Sequence, residues 1–457
     1  MGTRATAGAR LRARLRLRLT HPAQFVVAGF AAAVLVGTVL LLLPVSRAAT
    51  SGASVIDALF TATSAVCVTG LITVDTATYW SGFGQAVIMV LIQVGGFGIM
   101  ALATLLGLLV SSKLGLRNRL NAAAEVRNLG LSDVRQVLLG VAKTSLLFEA
   151  AGALLLAVRF ATAYDEPLGR ALWLGVFHAV SAFNNAGFAL FTDNMIGFST
   201  DPFISVPLCI LVIAGGLGFP VLFELRRAWR TPRRWSLHAK IVMSVTALLL
   251  AVGTLMFLAL EWTNPRTLGP MSAGGKVVAG FFQGVQPRTA GFNSLDTGAL
   301  NSETLLGTDM LMFIGGGSAG TAGGIKVTTF AVLLFIVVSE IRGDQSVTAF
   351  GRSISRQVQR QALSVAVLAV TVIAGSTALL LQLTSFSLDE VLFEVVSAFS
   401  TVGLSTGITA DVGLAGQLLL TALMFVGRLG PITLASALAL RSRPRLYDLP
   451  EERPIIG

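Results

Sequence analysis

Charge is scarce in this sequence. Only 12% of its 457 residues are Asp, Glu, Lys or Arg, about half the share of a soluble globular chain. Cysteine is nearly absent. Cys67 and Cys209 both lie in apolar stretches, which excludes a disulfide framework. The three histidines share no ligand spacing and so argue against a metal centre. No P-loop or dinucleotide fingerprint occurs, so the chain is expected to bind neither ATP nor NADH itself. No nucleophile–base constellation marks an enzyme either.

What is abundant is apolar sequence. Hydrophobic residues make up 54%, mean hydropathy is +0.77, and several runs approach the roughly 20 residues that span a bilayer as a helix. The first, Phe25 to Leu43, is too long for a signal-peptide core and lacks a clear cleavage site. The formal net charge of +11 is a topology signal rather than a nucleic-acid one. Of the 34 basic residues, 25 sit in five blocks: 1–20, 111–136, 225–240, 342–360 and the tail from Arg441. Basic blocks stay in the cytoplasm, so both termini and three loops are placed there. The intervening segments hold 17 of the 23 acids, among them Asp75, Asp193, Asp296 and Asp411. Facing outward, they would concentrate cations.

Internal repetition carries the most information. Four segments align without gaps, each with Phe ten residues before Gly: Phe60–Gly70, Phe177–Gly187, Phe281–Gly291 and Phe393–Gly403. Three share Ser-Ala at one offset (Ser64, Ser181, Ser397), whereas the third has Val285-Gln286. The glycines are spaced by 117, 104 and 112 residues. A second set follows 24 to 28 residues behind: Val94-GGFG, Ala214-GGLG, Ile314-GGGSAGTAGG and Val426-GRLG. A single such glycine reads as close helix packing; two matched motifs recurring four times define a unit.

Each unit reads as a helix, a short segment of about 12 residues that cannot span, the glycine motif, and a second helix. First helices are expected near 23–46, 137–160, 240–262 and 361–385, and second ones near 83–111, 204–226, 305–341 and 415–440. Ser54-VI-Asp57 and Ser387-LD-Glu390 resemble capping boxes at the starts of two short segments. The expected fold is an all-α polytopic membrane protein, four pseudo-symmetric helix–pore-loop–helix repeats around one central pore, with eight spanning helices. The division is a basic tail 1–20, repeat 1 at 21–112, a cytoplasmic loop 113–136 and repeat 2 at 137–227. A loop 228–239, repeat 3 at 240–342, a loop 343–360, repeat 4 at 361–441 and a tail 442–457 follow.

Non-helical backbone at membrane depth is tolerated only where protein buries it or where it lines a water-filled path. Four such loops suit a ring around one axis. The short helices would aim partially negative C-termini at its centre, and rings of carbonyls replace an ion's hydration shell. The expectation is a cation pore. Glu149, well inside a helix, is either a proton relay or a bundle-facing hydrogen-bond partner. Arg428 falls mid-helix, where repeats 1 and 2 have Gly96 and Gly216. It is a barrier or gate anchor, or else a buried structural pair. Residues 315–324 hold six glycines, Gly315, Gly316, Gly317, Gly320, Gly323 and Gly324, each costing about 1 kcal/mol in a helix. They read as a mobile plug below the pore loops, a passive kink being the other reading, with Lys326 just after. Arg288 and Glu394, both in pore-loop segments, are expected to brace adjacent quadrants.

These motifs, with Gly427-RLGP, resemble the potassium transporter superfamily of Trk, Ktr and HKT proteins from about residue 22 to 441. The Ktr type is most similar, because no additional helix pair precedes the first repeat. The resemblance implies potassium bound by carbonyls of Val68, Thr69 and Gly70; Asn185, Ala186 and Gly187; Thr289, Ala290 and Gly291; and Thr401, Val402 and Gly403. It implies a gating loop at 315–324 and a gating arginine, Arg428. It further implies a homodimer in the plasma membrane and a cytosolic ring of nucleotide-binding regulators of the KtrA/TrkA type, for which Arg226–Lys240 offers a basic docking surface. Surrounding lipid is the other partner, and no nucleic acid or cofactor is expected. Potassium is the substrate and sodium a candidate activator. None of the four loops reproduces TVGYG. The competing reading is an alternating-access symporter coupled to sodium or protons, but that favours inverted repeats, whereas these run in one direction.

Overall fold

The computed structural model describes residues 22–48, 54–112 and 131–430. The expected tails 1–20 and 442–457, most of the loop 113–136 and the end of repeat 4 lie outside these residues. The first repeat comprises α1 (Pro22–Leu42), α2 (Val55–Val66), a one-turn α3 (Thr76–Tyr79) and α4 (Gly82–Ser112). The second comprises α5 (Leu131–Ala163), α6 (Leu168–Phe183), α7 (Pro202–Leu217) and α8 (Phe219–Ala228). The third has α9 (Leu237–Glu261), α10 (Ala273–Val285), α11 (Ser302–Phe313) and α12 (Val327–Arg342). A hairpin of two-residue strands, β1 (Thr348–Ala349) and β2 (Arg352–Ser353), leads to α13 (Arg356–Leu383), α14 (Leu388–Ser400) and α15 (Gly413–Leu429). The hairpin is a small correction to the all-helical expectation.

Among the described residues, three helices are long and apolar enough to cross a bilayer: Leu138–Ala163, Leu237–Glu261 and Arg356–Leu383. A fourth candidate, α7 with α8, bends by 102°. Val26–Leu42, Gly82–Gly98 and Gly413–Leu429 are shorter apolar helices. One span expected to run unbroken, 204–226, is interrupted at Gly218, and 305–341 is interrupted between α11 and α12, where the glycine run was expected to open the helix. The physical reason is shared. Carbonyls at the end of α7 accept from the interrupting segment itself, Gly216 O from Gly317 N at 2.7 Å and Gly215 O from Thr321 N at 3.2 Å. Gly218, at φ 90°, then turns the chain away.

The short helices α2, α6, α10 and α14 are 12, 16, 13 and 13 residues long. At ~1.5 Å per residue they cover about 18–24 Å, less than a bilayer core of about 30 Å. Serine caps start three of them: Ser54, Ser272 and Ser387. Only Ser387 and Glu390 complete the reciprocal box. Asp57 instead accepts from the Thr73 hydroxyl at 2.9 Å.

Packing closes the four repeats into a cycle. α4 packs on α6, α7 on α10, α11 on α14, and α15 on α2. Each repeat's second helix therefore supports the next repeat's short helix, and the fourth returns to the first. The core follows this plan. One apolar cluster joins repeats 1 and 2 but includes Phe282 and Phe292, and the other joins repeats 3 and 4 but includes Phe60 and Leu71. Outward-facing Leu35, Leu147, Leu255 and Val367 are 63–69% exposed, an apolar exterior that suits hydrocarbon surroundings better than water.

Candidate functional site

The short helices deliver four loops of one conformation. The residue two before each motif glycine is left-handed although it is not glycine: Val68 (φ 55°), Asn185 (59°), Thr289 (66°) and Thr401 (51°). Gly70, Gly187, Gly291 and Gly403 are positive as well, at φ 93°, 69°, 78° and 97°. Each non-glycine case costs about 1–3 kcal/mol and persists only where the surroundings over-determine it. Local hydrogen bonds do so here. Ser64 O accepts from Thr69 N, Ser181 O from Ala186 N and Ser397 O from Val402 N, at 2.8–2.9 Å. The Ser64 hydroxyl accepts from Gly70 N at 3.0 Å and that of Ser397 from Gly403 N at 3.1 Å.

The third loop departs where its sequence does. Its helix ends early, at Val285. Gln286 Oε1 accepts from Phe292 N at 3.3 Å and Gln283 Oε1 from Ser294 N at 3.2 Å. Two glutamine side chains thus replace the missing serine. The buried aromatic is Phe282, with the aligned Phe281 only half-buried.

The loops meet one another. A Cβ added to Gly70 would strike the Ala186 carbonyl oxygen, one on Gly187 that of Ala290, one on Gly291 that of Val402, and one on Gly403 that of Thr69. The sequence 1–2–3–4–1 closes a ring of four backbone carbonyls. Glycine is required at each station for its left-handed backbone and for the neighbour's close approach. Of the twelve residues in the four triplets all but Gly403 are buried, with Val68, Thr69, Ala186, Thr289, Ala290, Thr401 and Val402 at 0% exposure.

The second glycine set has a steric role. A Cβ at Gly95, Gly215 or Gly427 would meet Val66 O, Phe183 O or Phe399 O respectively, each four residues before its ring glycine. In repeat 3 the corresponding Gly315 faces Gly323 and Ile325 instead. There the helix opens into the segment 315–324, which lies against the ring. Gly323 N donates to Thr289 Oγ1 at 3.2 Å, and the Thr321 hydroxyl donates to Asn185 Oδ1 at 2.7 Å. Asn185 Nδ2 in turn reaches Arg288 O at 3.4 Å. The space is too tight for side chains. A Cβ at Gly316, Gly317 or Gly320 would meet carbonyls of Gly216, Leu217 and Gly215, and one at Gly323 the Thr401 hydroxyl. Gly324 alone among these glycines has positive φ, at 64°.

Arg428 stands in the last turn of α15, not at mid-helix, because that helix ends at Leu429 and turns at Gly430 (φ 81°). It is buried, and its Nη1 donates to Thr321 O. Its Nε and Nη2 have no hydrogen-bond partner among the described residues. Lys326 Nζ donates to Ala322 O, with Gly323 O at 3.5 Å. Three consecutive carbonyls of the segment therefore face two cationic side chains. The pairing expected between Arg288 and Glu394 does not form. Arg288 reaches Thr246 Oγ1 at 3.4 Å, while Glu394 accepts from the hydroxyls of Ser405 and Thr409 in its own repeat. Hydroxyls close at hand satisfy the carboxylate without a counter-charge.

Glu149 accepts from Gln93 Nε2 at 3.1 and 3.2 Å and from Asn184 Nδ2 at 3.2 Å. It braces the end of α6 next to Asn185. Sequence reasoning singled out the glycines of the 315–324 segment and passed over Thr321, its hydroxyl-bearing link to Asn185. The signal was its being the sole threonine in the run. Cys67 and Cys209 are free and buried.

The chain resembles known proteins over most of its length. The TrkH family, described as cation transport protein, matches residues 5–443. Ktr system potassium uptake protein B of Bacillus subtilis (strain 168) is 41% identical over 93% of this chain and 94% of its own. Its counterpart in Vibrio alginolyticus is 39% identical over 95% and 94%. The potassium/sodium uptake protein NtpJ of Enterococcus hirae is 37% identical over 98% and 99%. In fold, the chain is similar to the crystal structure of the potassium transporter TrkH from Vibrio parahaemolyticus, with a TM-score of 0.71 at 20% identity, covering 90% of this chain and 85% of that one. The chain belongs to the TrkH family of cation transport proteins, multi-pass membrane transporters and not enzymes.

Proposed function

We propose that this protein takes up potassium through the ring of four loops, acting as a gated, carbonyl-lined selectivity filter. The observation that carries the reading is the closed cycle in which each ring glycine receives the next loop's carbonyl. Such a ring replaces hydration-shell oxygens without any charged ligand. The four short helices end within six residues of their ring glycines, so their partially negative C-termini reinforce a cation there. Val68–Gly70, Asn185–Gly187, Thr289–Gly291 and Thr401–Gly403 supply the carbonyls. Membrane potential drives the flux, at about 2.3 kcal/mol per charge per 100 mV.

The segment Gly315–Gly324 is the gate beneath the filter, and Arg428 and Lys326 hold it there. Two cations under a cation path add an electrostatic barrier while the segment is in place. The four repeats provide eight spans with both termini in the cytoplasm, and the working unit is a homodimer. Relatives described as protein B of a Ktr system support a second component, here a cytosolic nucleotide-binding ring docking on Arg226–Lys240. Sodium acts as an activator.

The test is ion flux through purified protein in liposomes under opposed potassium and sodium gradients. Potassium-selective flux, with selectivity lost in Gly187→Ser, is expected. Equal permeation of both ions by the parent, or four Gly→Ser variants indistinguishable from it, would overturn the filter assignment.

A further inference from the structure

A second feature lies away from the ring, on the outer flank between repeats 3 and 4. A cavity of about 530 Å³ opens there between α11, α13 and α14, within the size range of small-molecule sites. Its walls are apolar, with Phe313, Ile373, Leu392 and Val396 among them, yet Asp309 and Thr377 also line it. Asp309 is 7% exposed and Thr377 6%. Asp309 Oδ1 and Thr377 Oγ1 are buried without a hydrogen-bond partner, and no ion pair reaches Asp309 among the described residues.

That arrangement contrasts with the other buried acids. Glu149, Glu261 and Glu394 each accept from two or more side-chain donors of neighbouring segments. An ionised carboxylate only accepts hydrogen bonds, and leaving one unpaired in apolar surroundings is costly. The group that would relieve it carries N–H donors and a positive charge on an apolar body.

We propose that this cavity binds lipophilic ammonium compounds, their chain in the groove and their ammonium group on Asp309. The site is separate from the potassium path and does not depend on how that path works. Its Leu392 and Val396 belong to α14, whose C-terminus runs into Thr401–Gly403, so an occupant would press on the fourth quadrant of the ring.

The test uses the full chain in phosphatidylcholine nanodiscs. Saturable binding of radiolabelled dodecylamine is compared with that of dodecanol, after subtracting partition into empty nanodiscs. Asp309→Asn keeps the volume and removes the charge, and Ala374→Trp fills the groove. Both variants must retain the parent's elution profile. The expected result is amine binding about tenfold weaker in Asp309→Asn, the loss of one charge-assisted hydrogen bond, and none in Ala374→Trp. Dodecanol should not distinguish parent from Asp309→Asn. Equal amine affinity in parent and Asp309→Asn would overturn the proposal. Dodecanol binding as tightly as the amine would make the groove an acyl-chain site instead. Binding that falls as the protein self-associates would assign it to a second copy of the chain.

Discussion

The ring loops and the segment Gly315–Gly324 touch one another, are both rich in glycine and are both buried, yet they are held in opposite ways. A ring loop is tied to its own helix. Thr69 N and Gly70 N are bonded to Ser64, five and six residues back. The segment below hangs from distant elements: Thr289, Asn185 and Arg428 lie 34, 136 and 107 residues from their partners in it. Locally bonded backbone keeps its shape while its helix stands. Backbone hung from separate helices is released when any of them moves, a disposition suited to a two-state element. On the proposed function, the first arrangement suits selecting and the second suits gating.

The largest effect should come from breaking the local half. Gly403→Ser or Gly291→Ser places a Cβ against Thr69 O or Val402 O and adds about 1–2 kcal/mol of left-handed strain. Potassium preference over sodium should fall about tenfold or more, read as the ratio of competing uptake rates. Shortening Gly315–Gly324 should come next. Basal potassium flux is expected to rise severalfold, with ion preference kept. Arg428→Ala acts in the same direction through the lost Thr321 contact, and the two changes together should exceed neither alone by much, since they remove one barrier. Loss of transport in folded protein would instead make both structural.

Smaller effects sharpen the contrast. Thr321→Val removes one buried hydrogen bond to Asn185, worth about 1 kcal/mol. Basal flux should rise about fivefold, again measured in liposomes. The least effect separates two serines at one repeat position. Ser397→Ala leaves Gly403 N without its acceptor and should lower potassium preference modestly. Ser181→Ala breaks a bond to Phe188 O instead and should leave that preference closer to the parent's.

Much of this was legible in the chain because it repeats. Phe and Gly ten residues apart, recurring four times, locate the ring loops, and Val285-Gln286 marks the repeat whose loop is braced differently. The glycine run and Arg428 also stand out, because each breaks the pattern of an apolar helix. The break at Gly218 did not stand out. Gly215-GLG looks like Gly95-GFG, and only the arrival of Gly317 and Thr321 at its carbonyls turns one into a bend. Arg288 and Glu394 misled for a related reason. Charge pairing between segments depends on which hydroxyls lie nearer, and Ser405 and Thr409 answer Glu394 from within its own repeat. Asp309 carried no signal beyond being an acid in a long apolar run.

The separation of filter from gate is tested most directly by measuring two quantities in one liposome preparation. Potassium-to-sodium preference and basal potassium flux are recorded for Gly187→Ser and for the shortened 315–324 segment. The account predicts that the first variant loses preference with little change in basal flux, and that the second gains flux with preference intact. If both quantities shift together in both variants, the ring and the segment below it are one device, and the division drawn between them is wrong.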